Sequence, residues 1–263
     1  MRAYWAIISA RFRMLLQYRA AAMAGLTTQI FWGIIRVMIF SAFYASSSTR
    51  QPMSHSEVIT YIWLGQAFFA MLPWSLDSDI REMIRSGTVV YELLRPLDLY
   101  TTWFCRAIAM RGASTALRAV PIFVVAGIFF GLRPPPAIGA GIGWAFAMLG
   151  ALMLGAAITN LITISLLWTI SGQGMARLMP ACVWVLSGSI IPLPLFPDWA
   201  QATLNFLPFR DLVDTPYRLY MGHIPPQYAI YVLAHQAVWT AALVLLGRWL
   251  LARGTRRLVV HGG

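Results

Sequence analysis

Acid–base or metal chemistry in this chain would fall to nine acids, four histidines and two cysteines. His55, His223, His235 and His261 are scattered and form no HExxH or comparable metal pattern. Cys105 and Cys182 are distant, lie in or beside apolar runs, and define neither a disulfide framework nor a metal site. Asp198, Asp211 and Asp214 share one Pro-rich stretch and could serve a membrane hydrolase or transferase, but no His or Ser stands at a telling spacing from them. A nucleotide-phosphate loop is excluded. That motif needs a lysine, and all 20 basic residues are arginine. The ISGQG run at 170–174 has no such loop near it, so the chain does not hydrolyse ATP.

The charges that form a pattern lie in Asp77–Asp98, DSDIREMIRSGTVVYELLRPLD, which holds eight charged residues and five of the nine acids. Asp77 or Asp79 can cap a helix start. Ile80, Met83 and Ile84 then fall on one face, with Arg81, Glu82 and Arg85 around the rest. Gly87 suits the helix end, and Pro96 stops any helical turn formed after it. Between two membrane spans, a capped amphipathic helix is a platform for a soluble partner that supplies energy. Ile80–Arg85 is the expected docking element.

A second set of polar residues lies inside apolar runs, where an ionisable group is a functional candidate by default. Arg36 stands mid-run, with Gln29 and Gly33 on nearly the same face. It lines a substrate path, pairs across a subunit interface, or is satisfied by a carbonyl. Asn160, with Thr159 and Thr163, forms a polar patch that serves either the path or helix–helix hydrogen bonding. Arg111 and Arg118, seven residues apart, share a face directed at protein or water, with Arg106 at the boundary. No array of acids exists to carry a proton or sodium cycle.

The elements that must hold these residues follow from composition. The chain is 59% hydrophobic and 11% charged, with mean hydropathy +0.67. Soluble domains carry about 25% charged residues, so this is an integral membrane protein, and an all-α fold is expected. Six spans are expected, at about 20–44, 57–74, 138–170, 178–191 and 227–251, with the third built around the apolar run 119–132 that Arg106, Arg111 and Arg118 precede. Residues 1–19 form an interfacial helix or an extension of the first span. Tyr4, Ile8, Phe12 and Leu15 make its apolar stripe, and the segment has no signal-peptide profile. As one transmembrane domain, the chain divides into 1–19, spans 1–2 at 20–76, the charged segment at 77–98, and spans 3–5 at 99–191. A Pro-rich segment follows at 192–226, then span 6 at 227–252 and a basic tail at 253–263. The net charge of +11 reflects arginines at span ends rather than nucleic-acid binding. Counted by side, 12 arginines face 4, which puts both termini and the charged segment in the cytoplasm.

Two stretches carry a resemblance. The amphipathic helix closing on Leu93-Leu94-Arg95-Pro96 resembles type-2 ABC-exporter permeases, the small six-span subunits often encoded in pairs beside one ATPase. So does the more specific run Ser187-Gly188…Ile191-Pro192…Phe196-Pro197…Trp199…Leu207-Pro208-Phe209…Pro216…Gly222. The likeness covers the whole six-span layout. It implies a bacterial inner-membrane export subunit that moves an amphipathic or lipid-like compound. It also implies two partner ATPases carrying the ATP and Mg, a second permease identical or homologous to this one, and no cofactor in this chain. Residues 192–226 would re-enter the outer leaflet as short helices. Pro192, Pro194, Phe196 and Pro197 would belong to an extracellular gate, while spans 1, 2 and 5 would line the central interface. A path through Gln29, Arg36 and Asn160 completes this expectation. An ATP-independent channel or carrier, and a membrane enzyme using Asp211 or Asp214, are the competing readings.

Overall fold

The computed structural model describes residues 2–17, 19–48, 51–168 and 173–256. Arg50, Arg257, His261 and the first part of the turn expected at 172–177 lie outside them. Every regular element among the described residues is helical: α1 (Arg2–Leu16), α2 (Arg19–Ser46), α3 (His55–Ala67), α4 (Ser78–Arg85), α5 (Val90–Leu93), α6 (Leu99–Phe129), α7 (Ile138–Ser165), α8 (Gln173–Leu186), α9 (Asp198–Phe206), α10 (Asp214–Tyr220) and α11 (Ala229–Thr255). Short 3-10 turns follow α3 and flank α9.

Among the described residues, four helices are long and apolar enough to cross a membrane: Met23–Ser46, Leu99–Phe129, Ile138–Ser165 and Pro226–Thr255. They match expected spans 1, 3, 4 and 6. The other two expected spans come out shorter. The second is α3 plus a 3-10 turn at Phe69–Met71, and the stop before Pro73 reflects that proline's missing donor. The fifth is α8, with Pro180 inside it. Span 3 begins earlier than the apolar run indicates, because Asp98 caps α6 by accepting the Thr101 N–H at 2.8 Å. Ser54 and Glu57 form a reciprocal capping box that starts α3.

α7 is the central post. In its apolar window 61% of residues are buried, against 17% for α2 and 11% for α11. Small residues let neighbours close on it: a Cβ at Gly155 would stand 3.0 Å from the Met71 carbonyl, and one at Gly143 would stand 3.2 Å from Ala229. The largest core cluster joins Tyr61 and Leu64 of α3 to Leu154 and Ile158 of α7, Val183 of α8, and Leu212 and Tyr217. The Pro-rich segment therefore folds into the bundle, with Asp211–Tyr217 buried throughout. α4 and α5 lie at the opposite end from this segment, beside the start of α6, and α1 runs along the first half of α6 with Phe12 next to Gly112.

Candidate functional site: a clamped platform and a latched lid

At the platform end, α4 is built to be held on one side and free on the other. Asp77 caps it, accepting the Asp79 N–H at 3.0 Å, and Gly87 ends it with φ +75°. Ile80 is buried among Val89, Leu99, Trp103, Ile164 and Leu251, with Met83 and Ile84 packed against that cluster. Arg81, Glu82 and Arg85 carry no ion pair among the described residues, and they line the side of α4 turned away from that cluster. Tyr91, Leu93 and Leu94 of the following turn are exposed beside them, Leu94 at 77%.

The held side is electrostatic as well as apolar. Asp77, 5% exposed, receives Arg11 of α1 at 3.2 Å and Arg106 of α6 at 2.9 Å. Asp79 takes the same two arginines at 2.9 and 3.1 Å. One carboxylate pair thus joins three helices. The linker above it is gripped too. Arg111, fully buried, donates to the Leu72 carbonyl, to the Ser75 carbonyl at 3.2 Å and to Thr159 Oγ1 at 3.0 Å. At the foot of α6, Asp98 takes Arg248 of α11 at 3.1 Å, and its N–H donates to the Tyr4 hydroxyl at 3.0 Å. Partial burial works against the Asp98 charge, but the Thr101 hydroxyl and N–H and Arg248 together hold the carboxyl below the usual aspartate range.

At the end formed by the Pro-rich segment, where an extracellular gate is expected, Asp214 is the hub. Its Oδ1 accepts the Leu193 N–H and the Tyr61 hydroxyl, each at 3.2 Å, while Arg218 stands 3.7 Å from Oδ2. Tyr61 also reaches the Gly188 carbonyl at 3.1 Å. Gly188 has φ +83°, and a Cβ there would meet Tyr61 Oη at 2.5 Å. Pro192 and Leu193 are buried, Pro194 and Phe196 are half-buried, and Pro197 is exposed at the start of α9. Gln201 ties the turn together by donating to the Leu193 carbonyl at 2.8 Å and the Phe196 carbonyl at 3.0 Å. Arg36 of α2 donates to the Ile190 carbonyl at 2.7 Å.

Residues expected to share a path are not brought together. Arg36 sits beside the lid. Gln29 is buried, two turns away on the same face of α2. Asn160 is 1% exposed and donates to the Tyr100 carbonyl at 3.2 Å, so the structure uses it for helix–helix bonding between α7 and α6. Nor do the acids form a catalytic pair. Asp211 is fully buried and bonds His235 Nδ1, while the Trp239 N–H donates to His235 Nε2 at 3.2 Å. No group of three or more His, Cys, Asp or Glu able to hold a metal occurs among the described residues.

Residues 21–262 match the profile of the family described as ABC-2 family transporter protein. The chain belongs to the ABC-2 transporter family. The match covers nearly every element above, from α2 to the end of α11. No curated protein matches the chain. An ABC-2 protein with this composition is an integral-membrane transport subunit, and the family implies association with an ATPase partner. Sequence reasoning on this ABC-2 chain missed Arg11, Tyr61 and Asp214 as fastening points. The available signals were an arginine interrupting the apolar stripe of α1 and an acid set among apolar neighbours just before Pro216.

Proposed function

We propose that the chain is the permease half of an ATP-driven exporter in a bacterial inner membrane, moving an amphipathic or lipid-like compound outward. It has six spans and cytoplasmic termini, with α3 and its 3-10 turn as span 2 and α8 as span 5. Two ATPase subunits carry the ATP and Mg, and a second permease, identical or homologous, packs on α2 and α8. The apolar faces of those helices, including Phe31, Trp32, Met38, Leu178 and Trp184, are uncovered in the single chain. No cofactor resides in the chain.

The observation that carries this reading is the two-sidedness of α4. A helix anchored by Ile80 and the Asp77 clamp, yet presenting Arg81, Glu82 and Arg85 outward, transmits a push rather than absorbing it. In this mechanism, ATP closes the ATPase pair and α4 moves with it. The clamp carries α1 and α6 along, while Arg111 carries the linker below α3. The inner cavity then closes, and the lid around Pro192–Pro197 opens outward where the Asp214 hub releases Leu193. Rigid, two-state packing makes such a movement a switch. Replacing Arg81, Glu82 and Arg85 together by alanine should uncouple ATP use from transport. Full transport by that variant would remove the docking assignment.

A further inference from the structure

Away from their ends, the apolar helices carry three arginines, and two are satisfied. Arg111 is saturated by Thr159 and carbonyls, and Arg36 donates to Ile190. Arg118 of α6 has neither an ion pair nor a hydrogen bond among the described residues. Its guanidinium lies against the backbone of α2, where a Cβ on Gly25 would stand 2.6 Å from Cζ. One turn further along α2 is Gln29, 5% exposed, with both amide atoms buried and unpartnered. One turn beyond that, Gly33 meets Trp63 of α3, whose ring N–H is also buried and unpartnered. Thr115, one turn before Arg118 on α6, also has a hydroxyl without a partner among the described residues. The surroundings are apolar: Leu26, Ala119 and Ile122.

Polar groups at membrane depth need partners, and here the described residues supply none. The cluster is rich in donors, holds one cation and lacks an anion. The acids at Asp77, Asp79 and Asp98 are paired at the platform, and those at Glu57, Asp211 and Asp214 are paired at the lid. Arg118 lies 12 residues beyond Arg106, roughly 18 Å along α6. An anion that reaches it must therefore be attached to a molecule able to enter the membrane. α2, which is largely uncovered in the single chain, forms one wall of the cluster.

We propose that the junction of Gln29, Thr115 and Arg118 between α2, α3 and α6 binds the anionic group of an amphipathic molecule. The group is a carboxylate, phosphate or sulfonate, with Arg118 as its counter-ion. This deepens the export reading by naming the class of cargo. It rests on that reading for the role of the site, not for binding.

The test uses the full chain in phosphatidylcholine nanodiscs and two fluorescent probes that differ only at the head, a dodecanoate and a dodecanol bearing the same dye. Anisotropy titration should show the carboxylate bound at least about tenfold more tightly, the scale of one charge-assisted hydrogen-bonding contact. Arg118→Gln should erase the preference. Arg118→Lys, which keeps the charge, should retain part of it, and gel filtration reports on the fold of both variants. Equal binding of the two probes by the unaltered chain, or an undiminished preference in folded Arg118→Gln, would overturn the proposal. Repeating the titration in phosphatidylglycerol nanodiscs distinguishes the source of the anion. Competition there assigns the site to a lipid headgroup, and its absence assigns it to a single-chain compound; both outcomes keep the anion site. No ATPase takes part, so failure of the docking assignment leaves this result intact, and the reverse also holds.

Discussion

Arg106 and Asp77 meet in a two-pronged ion pair at the foot of α6, Nε to Oδ2 at 2.9 Å and Nη2 to Oδ1 at 3.0 Å. Because Asp77 is also the N-cap of α4 and a partner of Arg11, one carboxylate sets the position of the platform relative to two other helices. Asp77→Ala should leave two arginines facing each other with only the exposed Asp79 between them. The expected cost is on the order of 3 kcal/mol, as for other pairs broken on one side. Thermal unfolding of the purified variant measures it. Asp77→Glu, which keeps the charge, should lose markedly less.

Arg111 fastens the linker between α3 and α4 to the middle of the bundle through the carbonyls of Leu72 and Ser75 and the hydroxyl of Thr159. Lysine cannot reproduce a planar fork that serves several acceptors at once. Arg111→Lys should therefore destabilise by about 2 kcal/mol or more, since buried acceptors are left unmatched. Thr159→Val should cost less, because the linker carbonyls keep their donor. Unfolding curves of the two variants, compared in the same detergent, check the order.

Gly188 is a backbone position that no other residue fills without strain, having φ +83° and the Tyr61 hydroxyl where a Cβ would go. Gly188→Ala should cost more than about 1 kcal/mol and disturb the bonds from Tyr61 and Leu193 to Asp214. Proteolytic or cysteine-accessibility mapping of residues 188–197 should show a more open lid. Protection equal to that of the unaltered chain would count against the latch.

Asp98 gives the platform a pH dependence of known sign. Its carboxyl is held below the usual aspartate range, so its contribution is fully present above the unfolded value, near ~3.9, and is lost as pH falls through the folded value. Stability of the unaltered chain should therefore drop relative to Asp98→Asn on acidification below roughly pH 4, with the two curves running parallel above it. Melting temperatures across that range read the difference directly. A constant gap at every pH would show that the cap and Arg248 do not depend on the charge.

What the sequence discloses is local. The Asp77 cap, the stop at Gly87, the inward set of Ile80, Met83 and Ile84, and the outward set of Arg81, Glu82 and Arg85 all follow from spacing within one short helix. Pairings are a different matter. Arg11 lies 66 residues from Asp77, and Tyr61 lies 153 from Asp214. No periodicity encodes such contacts, because they join elements far apart in the chain. Arg118 and Arg111 read alike in sequence, seven apart on one face. Only packing reveals that one is saturated by α7 and the linker while the other meets Gly25. Asn160 is a case in point: a polar residue amid apolar ones signals a hydrogen bond between helices without naming Tyr100 as the partner.

The central claim is that the outer face of α4 is where an ATPase pushes. Its most direct test is a cysteine at Glu82, in a chain with Cys105 and Cys182 replaced by serine, crosslinked in native membranes before gentle extraction. The expected result is capture of an ATPase bearing a phosphate-loop lysine at position 82, and none from a cysteine at buried Ile80. A chain that emerges alone from both positions would contradict it.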